Sequence, residues 1–445
     1  MSGASREQGA ICIDGYNLAL PKGTGIATYG RTLMSTLSGM GAPAEVLFGT
    51  LTKRSPTNSV NAERIANGDE GDKYVGRQAY FWRTVASGLG RPAHPVMPAA
   101  ETNWGAGRRP EARRYWLSPS LYRFSLRAFK KYGVGTPVRF RATAQMAAPA
   151  VMHWTSPLPV RAVGIPNICT IHDLIPITHP HLTTGDPEAF RALCRQAVSR
   201  ADHIAVVSET TRRDLVERIG VSEDHITTTY QAVRRPDNLV EVEVAARDLR
   251  DDLGLSWKGY LLHFGAIEPK KNLGRIVEAY LASGIATPLV LVGGRAWMSE
   301  GETALLDKIK REGGRAAERI HQYGYLQAGA LTSLIRGAKA TLFPSVYEGF
   351  GLPVVESMSL GTAVMTSTAG SLPEISGGAA LLVDPYDVGA MAKAIRTLDA
   401  DDGLRDELAT QGLIRADDFT LEAYARRLRT LYAKVGVVLH DGNFG

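Results

Sequence analysis

Cysteine is scarce in this chain of 445 residues: Cys12, Cys169 and Cys194 are the only three, and they lie far apart. Their spacing excludes a disulfide-stapled scaffold and a cysteine-based metal centre, and the thiols read as reduced, mostly buried groups of a cytoplasmic protein. Long apolar runs are missing as well. No stretch of about 18 apolar residues exists, which speaks against a membrane-spanning helix. Residues 1–10 are polar, without the apolar segment of a secretory signal. The complete G-x-G-x-x-G nucleotide fingerprint is absent; Gly23-Thr24-Gly25 supplies only its first part. The net charge of +6 is modest, but acids are nearly missing from one region, since Glu111 is the single carboxylate within residues 108–131. Such local concentration matters more than the total.

What is present is ordinary for a soluble globular protein, with 44% hydrophobic and 22% charged residues. The length exceeds one comfortable core and predicts two domains. Short apolar runs alternate with helix-period segments through both halves. In the first half, strands are predicted at residues 10–13, 151–154, 167–171 and 204–207. Helices are predicted from about Ile26, where Tyr29, Leu33 and Leu37 recur at helical spacing, and over 191–200 and 211–219. Residues 52–75 are polar and irregular and read as a mobile loop. The charged stretch 234–251 marks the interdomain linker near its start. Strands then resume at 260–265, 288–292, 320–325, 341–344, 363–366 and 380–383, with helices at 273–280, 328–337, 391–398 and 421–435. Repeated strand–helix units require a parallel sheet, and ligands of such sheets bind beyond the carboxyl ends of the strands.

The candidate functional groups fall at those ends. Strand 167–171 runs into His172-Asp173, and a histidine serves as donor or acceptor near neutral pH. Strand 260–265 ends at Gly265 and leads into Glu268-Pro269-Lys270-Lys271-Asn272, where two lysines before a helix N-terminus suit a diphosphate. Strand 288–292 leads to Gly293-Gly294 and Trp297. The most distinctive stretch is 348–356, E-G-F-G-L-P-V-V-E. Its glycine turn precedes a helix opened by Pro353, so backbone donors and the positive helix end point at one place. Glu348 and Glu356 bracket that turn, as a sugar nucleotide with hydroxyls on both sides of a diphosphate requires. The one D-x-D, Asp399-Ala400-Asp401, lies between two predicted helices and reads as helix-linker chemistry rather than a metal site.

The basic region within 108–131 interleaves Arg108, Arg109, Arg113, Arg114, Arg123, Arg127, Lys130 and Lys131 with Tyr115, Trp116, Tyr122, Phe124 and Phe129. Three readings compete: a solvated helix face with aromatic core contacts, a patch gripping anionic lipid, and a nucleic-acid surface, for which no binding module surrounds the patch.

On these motifs the chain resembles the retaining glycosyltransferases of family 4, over most of its length. E-G-F-G-L-P-V-V-E is similar to the E-x7-E motif of those enzymes. G-A-I-E-P-K-K-N, V-G-G-R-A-W and I-H-D-L-I-P are similar to elements of their mannosyltransferase-like branch. Ser208-Glu209 and Pro373-Glu374 are further matches, read as structural. The resemblance implies an α/β fold of the GT-B type: two doubly wound parallel-sheet, Rossmann-like domains facing a central cleft. Residues 1–235 would form the acceptor-side domain and 236–420 the nucleotide-sugar domain. Residues 421–445 would be a C-terminal helix and tail packing back on the first domain.

The resemblance also implies roles. Glu348 would contact donor-sugar hydroxyls and Glu356 the nucleotide ribose. The backbone of Phe350, Gly351 and Leu352 would meet the donor phosphates or sugar. Lys271 would bind the diphosphate. Many relatives carry Arg where this chain has Ala266, a loss that Lys270 compensates. His172 and Asp173 would lie by donor sugar and acceptor, Trp297 and Gly265 on the donor side, and Gly25 in the loop approaching the diphosphate. The implied reaction is metal-independent hexosyl transfer with retention. Its first donor candidate is GDP-mannose, ahead of other GDP-deoxyhexoses and UDP-sugars. The acceptor would be a lipid-linked or surface-polysaccharide glycan. No cofactor, metal or nucleic acid is expected, and the 108–131 segment would give peripheral contact with the inner membrane face. A GT-B epimerase or phosphorylase, and a non-catalytic glycan-binding protein, are the rival classes.

Overall fold

The computed structural model describes residues 9–18, 25–42, 44–49, 77–96 (77–80 as backbone only), 112–143, 146–236 and 238–442. The loop expected at 52–75, Gly23, Arg108, Arg109 and Glu111 lie outside these residues. Among the described residues two sheets account for all strands. The first holds β1 (Ile11–Asp14), β2 (Ala44–Phe48), β3 (Arg91–Val96), β4 (Arg114–Leu117), β5 (Thr136–Phe140), β6 (Val151–Trp154), β7 (Val160–Ala162), β8 (Asn167–Ile171), β9 (His203–Val206) and β10 (Ile226–Thr228). Its order is β10-β9-β8-β6-β1-β2-β4-β3-β5-β7. The second holds β11 (Leu261–Phe264), β12 (Leu289–Val292), β13 (Ile320–Tyr323), β14 (Ala340–Phe343), β15 (Ala363–Ser367) and β16 (Leu381–Val383), in the order β13-β12-β11-β14-β15-β16.

Every pairing in the second sheet is parallel. Its central strands are buried on both faces, which is why they read as unbroken apolar runs such as Leu289-Val290-Leu291-Val292. The first sheet is parallel apart from one ladder, β3 against β4, where Pro95 faces Trp116. Pro92 and Pro95 inside β3 break the usual strand signature.

The aromatic residues of the basic segment are mainly core. Tyr115 and Trp116 lie buried on β4, Tyr122 and Phe124 are buried on helix Leu121–Tyr132, and Trp116 Nε1 donates to Glu45 Oε2 at 2.6 Å. They were candidates for an aromatic interface with lipid; β-pairing and packing take them inward instead. Arg123, Arg127, Lys130 and Lys131 stay on the outer face of that helix. The neighbouring helix Arg77–Ser87 and the turn after it add exposed apolar groups there: Phe81, Val85, Trp82 at 66% exposure and Leu89 at 81%.

Helix Leu421–Ala433 packs against helix Gly25–Gly39 of the first domain. Its Tyr424, Leu428, Leu431 and Tyr432 are fully buried. Each such side chain contributes roughly 1.5–3 kcal/mol of burial. Polar groups register the contact: His153 Nδ1 bonds Tyr432 Oη at 2.7 Å, His153 Nε2 bonds Thr170 Oγ1 at 2.7 Å, and Thr170 Oγ1 bonds Tyr29 Oη at 2.9 Å. Buried polar groups satisfied in this way fix one arrangement. Asp399 is tied to Lys339 at 2.7 Å and Thr287 at 2.6 Å, and Asp401 caps helix Asp402–Ala416 through Leu404 N.

Candidate active site

The carboxyl ends of β1, β6, β8 and β9 face those of β11, β12 and β14, and the candidate groups line this seam. On the C-terminal side, β11 ends at Gly265 (φ +128°), and Gly293 follows β12 at φ +153°. A Cβ on Gly293 would stand 1.8 Å from the Gly265 carbonyl oxygen. Only glycine allows these two backbones to meet. The chain then makes the short turn Pro269–Lys271 and enters helix Leu273–Ser283 through Asn272, itself left-handed at φ +64°. Asn272 Nδ2 donates to Pro344 O at 2.8 Å and Pro385 O at 2.7 Å, and Val346 N donates to Lys270 O at 2.8 Å. The lysine turn is thereby stitched to the segment after β14.

That stitching brings the charges together. Lys271 Nζ donates to Glu348 Oε1 at 2.6 Å. Lys270 Nζ lies 3.6 Å from Glu348 Oε2 and 3.5 Å from Glu268 Oε1. Glu348 is only 6% exposed. Burial opposes its ionisation, but Lys271 and Lys270 outweigh burial and hold the carboxyl below the usual range. Burial likewise works against the charge on Lys270, yet Glu348, Asp173 and Glu268 together raise its pKa above the ordinary lysine value. Glu356, further along helix Leu352–Ser359, has the opposite balance: burial raises it and Lys271 offsets only part. An anion entering here meets two preorganised cations, and displaced carboxylates become free to accept from hydroxyls.

The turn is built by Gly349, Phe350 and Gly351. Gly351 caps helix Leu352–Ser359 at φ +104°. The Phe350 ring faces away from the charges, buried against Phe419 at 5.4 Å and Tyr230 at 6.4 Å, so its backbone alone borders the site. At Gly349 the two walls cross closely: a Cβ there would stand 2.0 Å from the His172 carbonyl oxygen.

The N-terminal wall is neutral by comparison. His172 Nε2 lies 2.8 Å from Thr155 O. A carbonyl only accepts, so Nε2 carries the proton and neutral His172 keeps its acceptor at Nδ1. Burial lowers its pKa, and Lys270 adds to the effect. Tyr29 packs edge-on to the imidazole at 4.8 Å. Thr155 is held in turn by buried Asp14, whose Oδ2 accepts its N–H. Burial pushes Asp14 up to about 6, against the hydrogen bonds from Thr155. Asp173 Oδ1 accepts from Ile175 N at 3.1 Å. Gly25 opens helix Gly25–Gly39, and among the described residues no atom lies within 4 Å of where its side chain would begin. Trp297, beyond the end of β12, is 46% exposed and takes no part in the charge cluster. Asp14, Tyr29, Thr155 and Glu268 join the site although the sequence assigns them no role; Asp14 and Thr155 were signalled by their positions at strand ends and Glu268 by its place in the lysine loop.

Family comparisons agree with this architecture. Residues 247–414 match the family described as Glycosyl transferases group 1, and residues 78–234 match Glycosyltransferase Family 4. O-antigen chain mannosyltransferase B of Escherichia coli is 32% identical over 260 residues, covering 57% of this chain and 67% of that protein. This chain belongs to the family 4 glycosyltransferases. Other family relatives are more distant. Serotype-specific mannosyltransferase WbdA of Escherichia coli is 27% identical over 278 residues, covering 60% of this chain but only 33% of WbdA, so the match spans about a third of that protein. A D-inositol 3-phosphate glycosyltransferase of Acidothermus cellulolyticus is 30% identical over 273 residues, covering 58% of this chain and 59% of that one. The GT-B fold has close structural counterparts. Sucrose-phosphate synthase of Thermosynechococcus elongatus matches at a TM-score of 0.63, 18% identity, 96% of this chain and 99% of that one. Anabaena HepE in complex with UDP-glucose matches at 0.60, 15% identity, 96% and 100%.

Proposed function

We propose that this glycosyltransferase moves mannose from GDP-mannose to a saccharide acceptor, retaining the anomeric configuration and using no divalent metal. The observation that carries the reading is the buried Lys271–Glu348–Lys270 cluster facing His172 across the seam. Two lysines and the helix end at Gly351 offer the charge a departing diphosphate needs, a role otherwise filled by a metal ion. Loss of the diphosphate leaves positive charge on the sugar ring. Glu348, ionised and oriented, then holds donor-sugar hydroxyls, while Glu356 stands one helical turn further along for the ribose. The donor phosphate takes the acceptor proton, and His172 Nδ1 positions a hydroxyl rather than attacking the sugar.

Mannose is favoured because two of the relatives named above are mannosyltransferases of O-antigen or serotype-specific glycans. The inositol-phosphate relative keeps a different donor in play. A lipid-linked or surface-polysaccharide acceptor places the enzyme at the inner membrane face. In support, the described residues 77–96 and 112–143 contain no acid, and they present Phe81, Trp82, Leu89, Lys130 and Lys131 outward. Among the described residues no helix is long and apolar enough to cross a membrane.

A thermal-shift and transfer screen tests the reading. Purified protein is heated with GDP-mannose, GDP-fucose, GDP-rhamnose or UDP-sugars, and released nucleoside diphosphate is measured with and without saccharide acceptor. GDP-mannose at about 100 times its Kd is expected to stabilise the protein by roughly 2.7 kcal/mol. Stabilisation by a UDP-sugar alone would replace the donor assignment, and silence from every nucleotide sugar would overturn the reading.

A further inference from the structure

Helix Glu209–Ile219 follows β9 and belongs to the first domain, yet a carboxylate from the second domain binds its first turn. Glu374 Oε1 accepts from Glu209 N at 2.7 Å. Glu374 Oε2 accepts from Thr210 N at 3.0 Å and from Thr210 Oγ1 at 3.0 Å. The local cap, Ser208 Oγ, takes Thr211 N at 3.0 Å. The helix therefore divides its orphan donors between a neighbour in sequence and a residue more than 160 positions away. A negative charge here also complements the helix dipole, and an ionised acceptor makes the stronger kind of hydrogen bond.

Both ends of this contact lead directly to the candidate reaction centre. Glu374 sits on the short helix Leu372–Ser376, and Arg415 Nη2 fixes its carbonyl at 2.6 Å. Ser371, just before that helix, donates its hydroxyl to Glu348 O at 3.0 Å and Phe350 O at 2.9 Å, and its N–H to Glu348 O at 3.2 Å. On the opposite side, Thr211 Oγ1 donates to His172 O at 3.2 Å. That carbonyl is the one against which Gly349 closes. A continuous run of bonds thus joins Glu348, Ser371, Glu374, helix Glu209–Ile219 and His172.

We propose that Glu374 is a positioning residue that latches the donor domain to the first domain and sets the spacing of Glu348 from His172 for sugar transfer. It contacts neither reactant. Donor phosphates meet Lys270 and Lys271 without it, whereas the transfer geometry needs both walls at a fixed separation. The proposal rests on the transferase reading above.

Glu374→Gln keeps the side-chain size but loses the charge and one acceptor. Its kcat is expected to fall by about 10-fold or more, with KM for the nucleotide sugar and calorimetric GDP affinity within about 3-fold of the parent. Small-angle scattering with GDP bound should show a larger radius of gyration. Glu374→Asp, which retains charge and both acceptors, should recover much of the loss. Thr210→Val should act on the same term, so that the double variant is no worse than Glu374→Gln alone. Unchanged kcat, or an unchanged scattering profile, overturns the latch. So does a loss in which kcat, GDP affinity and thermal midpoint fall together, which marks mere unfolding. The scattering arm needs no turnover: absence of transfer by the parent protein would sink the functional reading, while a profile unaltered by Glu374→Gln would sink this inference alone.

Discussion

On the C-terminal wall of the cleft Lys270 reaches both Glu268 and Glu348 and Lys271 reaches Glu348, each within 4 Å, whereas the N-terminal wall offers an imidazole whose proton is held by a carbonyl. The first arrangement is electrostatic and strong; the second is a neutral hydrogen-bonding surface held in place from behind. A nucleotide diphosphate brings charge and needs the former. A glycan hydroxyl brings none, and a fixed acceptor aligned with it serves better than a cation. The difference explains why one wall is rigidly stitched by Asn272 and Ser371 while the other depends on Asp14 and Thr155 acting through the backbone.

The sharpest way to break that comparison is to remove one group from each wall. Glu348→Ala leaves two lysines without their shared partner and, on the proposed reading, removes the donor-sugar contact. Its kcat is expected to fall by more than about 10²-fold, the scale of one transition-state contact. His172→Ala removes one neutral hydrogen bond, worth about 1–1.5 kcal/mol, and should lower kcat by only about 10-fold with GDP affinity unchanged. Steady-state kinetics and calorimetry on both proteins measure the contrast. Near-normal turnover of Glu348→Ala, or a larger loss from His172→Ala, would reverse the assignment of the walls.

The walls also differ in how far the sequence announces them. Lys270, Lys271, Glu348 and Glu356 lie in two compact motifs at the ends of apolar strands, and short spacing keeps such groups together whatever the rest of the fold does. The second sheet was legible for the same reason, since buried strands leave continuous apolar runs, whereas the first sheet was read only at β1, β6, β8 and β9. Other features depend on pairs far apart. His153 meets Tyr432 across 279 positions, and Glu374 meets Thr210 across 164. No periodicity encodes such pairs. β3 escaped because Pro92 and Pro95 mimic a loop, and Tyr115, Trp116 and Phe124 resembled interfacial aromatics until β-pairing of the first two and helix packing of the third buried them. Composition located the basic region, but only the fold shows that the apolar groups beside it come from Phe81, Trp82 and Leu89.

That outer face sharpens the comparison at a different scale, because it belongs to the first domain alone. Sedimentation with vesicles containing anionic lipid at low salt should capture the protein. Lys130→Ala/Lys131→Ala together should weaken capture by roughly 30-fold, at about 1 kcal/mol per basic residue near the surface. Trp82→Ser should weaken it further without altering the salt dependence. Equal retention on neutral vesicles would overturn the attraction to anionic lipid, and no capture at all would remove the membrane from the picture.

The smallest effect compares the two cores. His153 lies under the N-terminal wall and burial lowers its pKa to about 3, with His172 adding a little; His263 lies under the C-terminal wall and burial lowers it to about 4, with the Leu342 carbonyl opposing. Both rings are buried. In the unfolded chain each takes a proton near pH 6.5, while the folded protein leaves both neutral until far lower pH. The unfolded state therefore binds more protons as pH falls, and stability must drop below neutrality. Between pH 7 and 6 each histidine should withdraw about 0.7 kcal/mol. Urea unfolding at the two pH values should show this loss in the parent, and His153→Gln and His263→Gln should each remove their own share of it. Equal shares would mean that the two halves resist acid alike, so that the contrast between the walls is confined to the cleft. A stability loss on acidification that survives both substitutions would place the titrating groups elsewhere; Asp14, pushed up to about 6 by burial, acts in the opposite direction, because the folded protein takes its proton before the unfolded chain does.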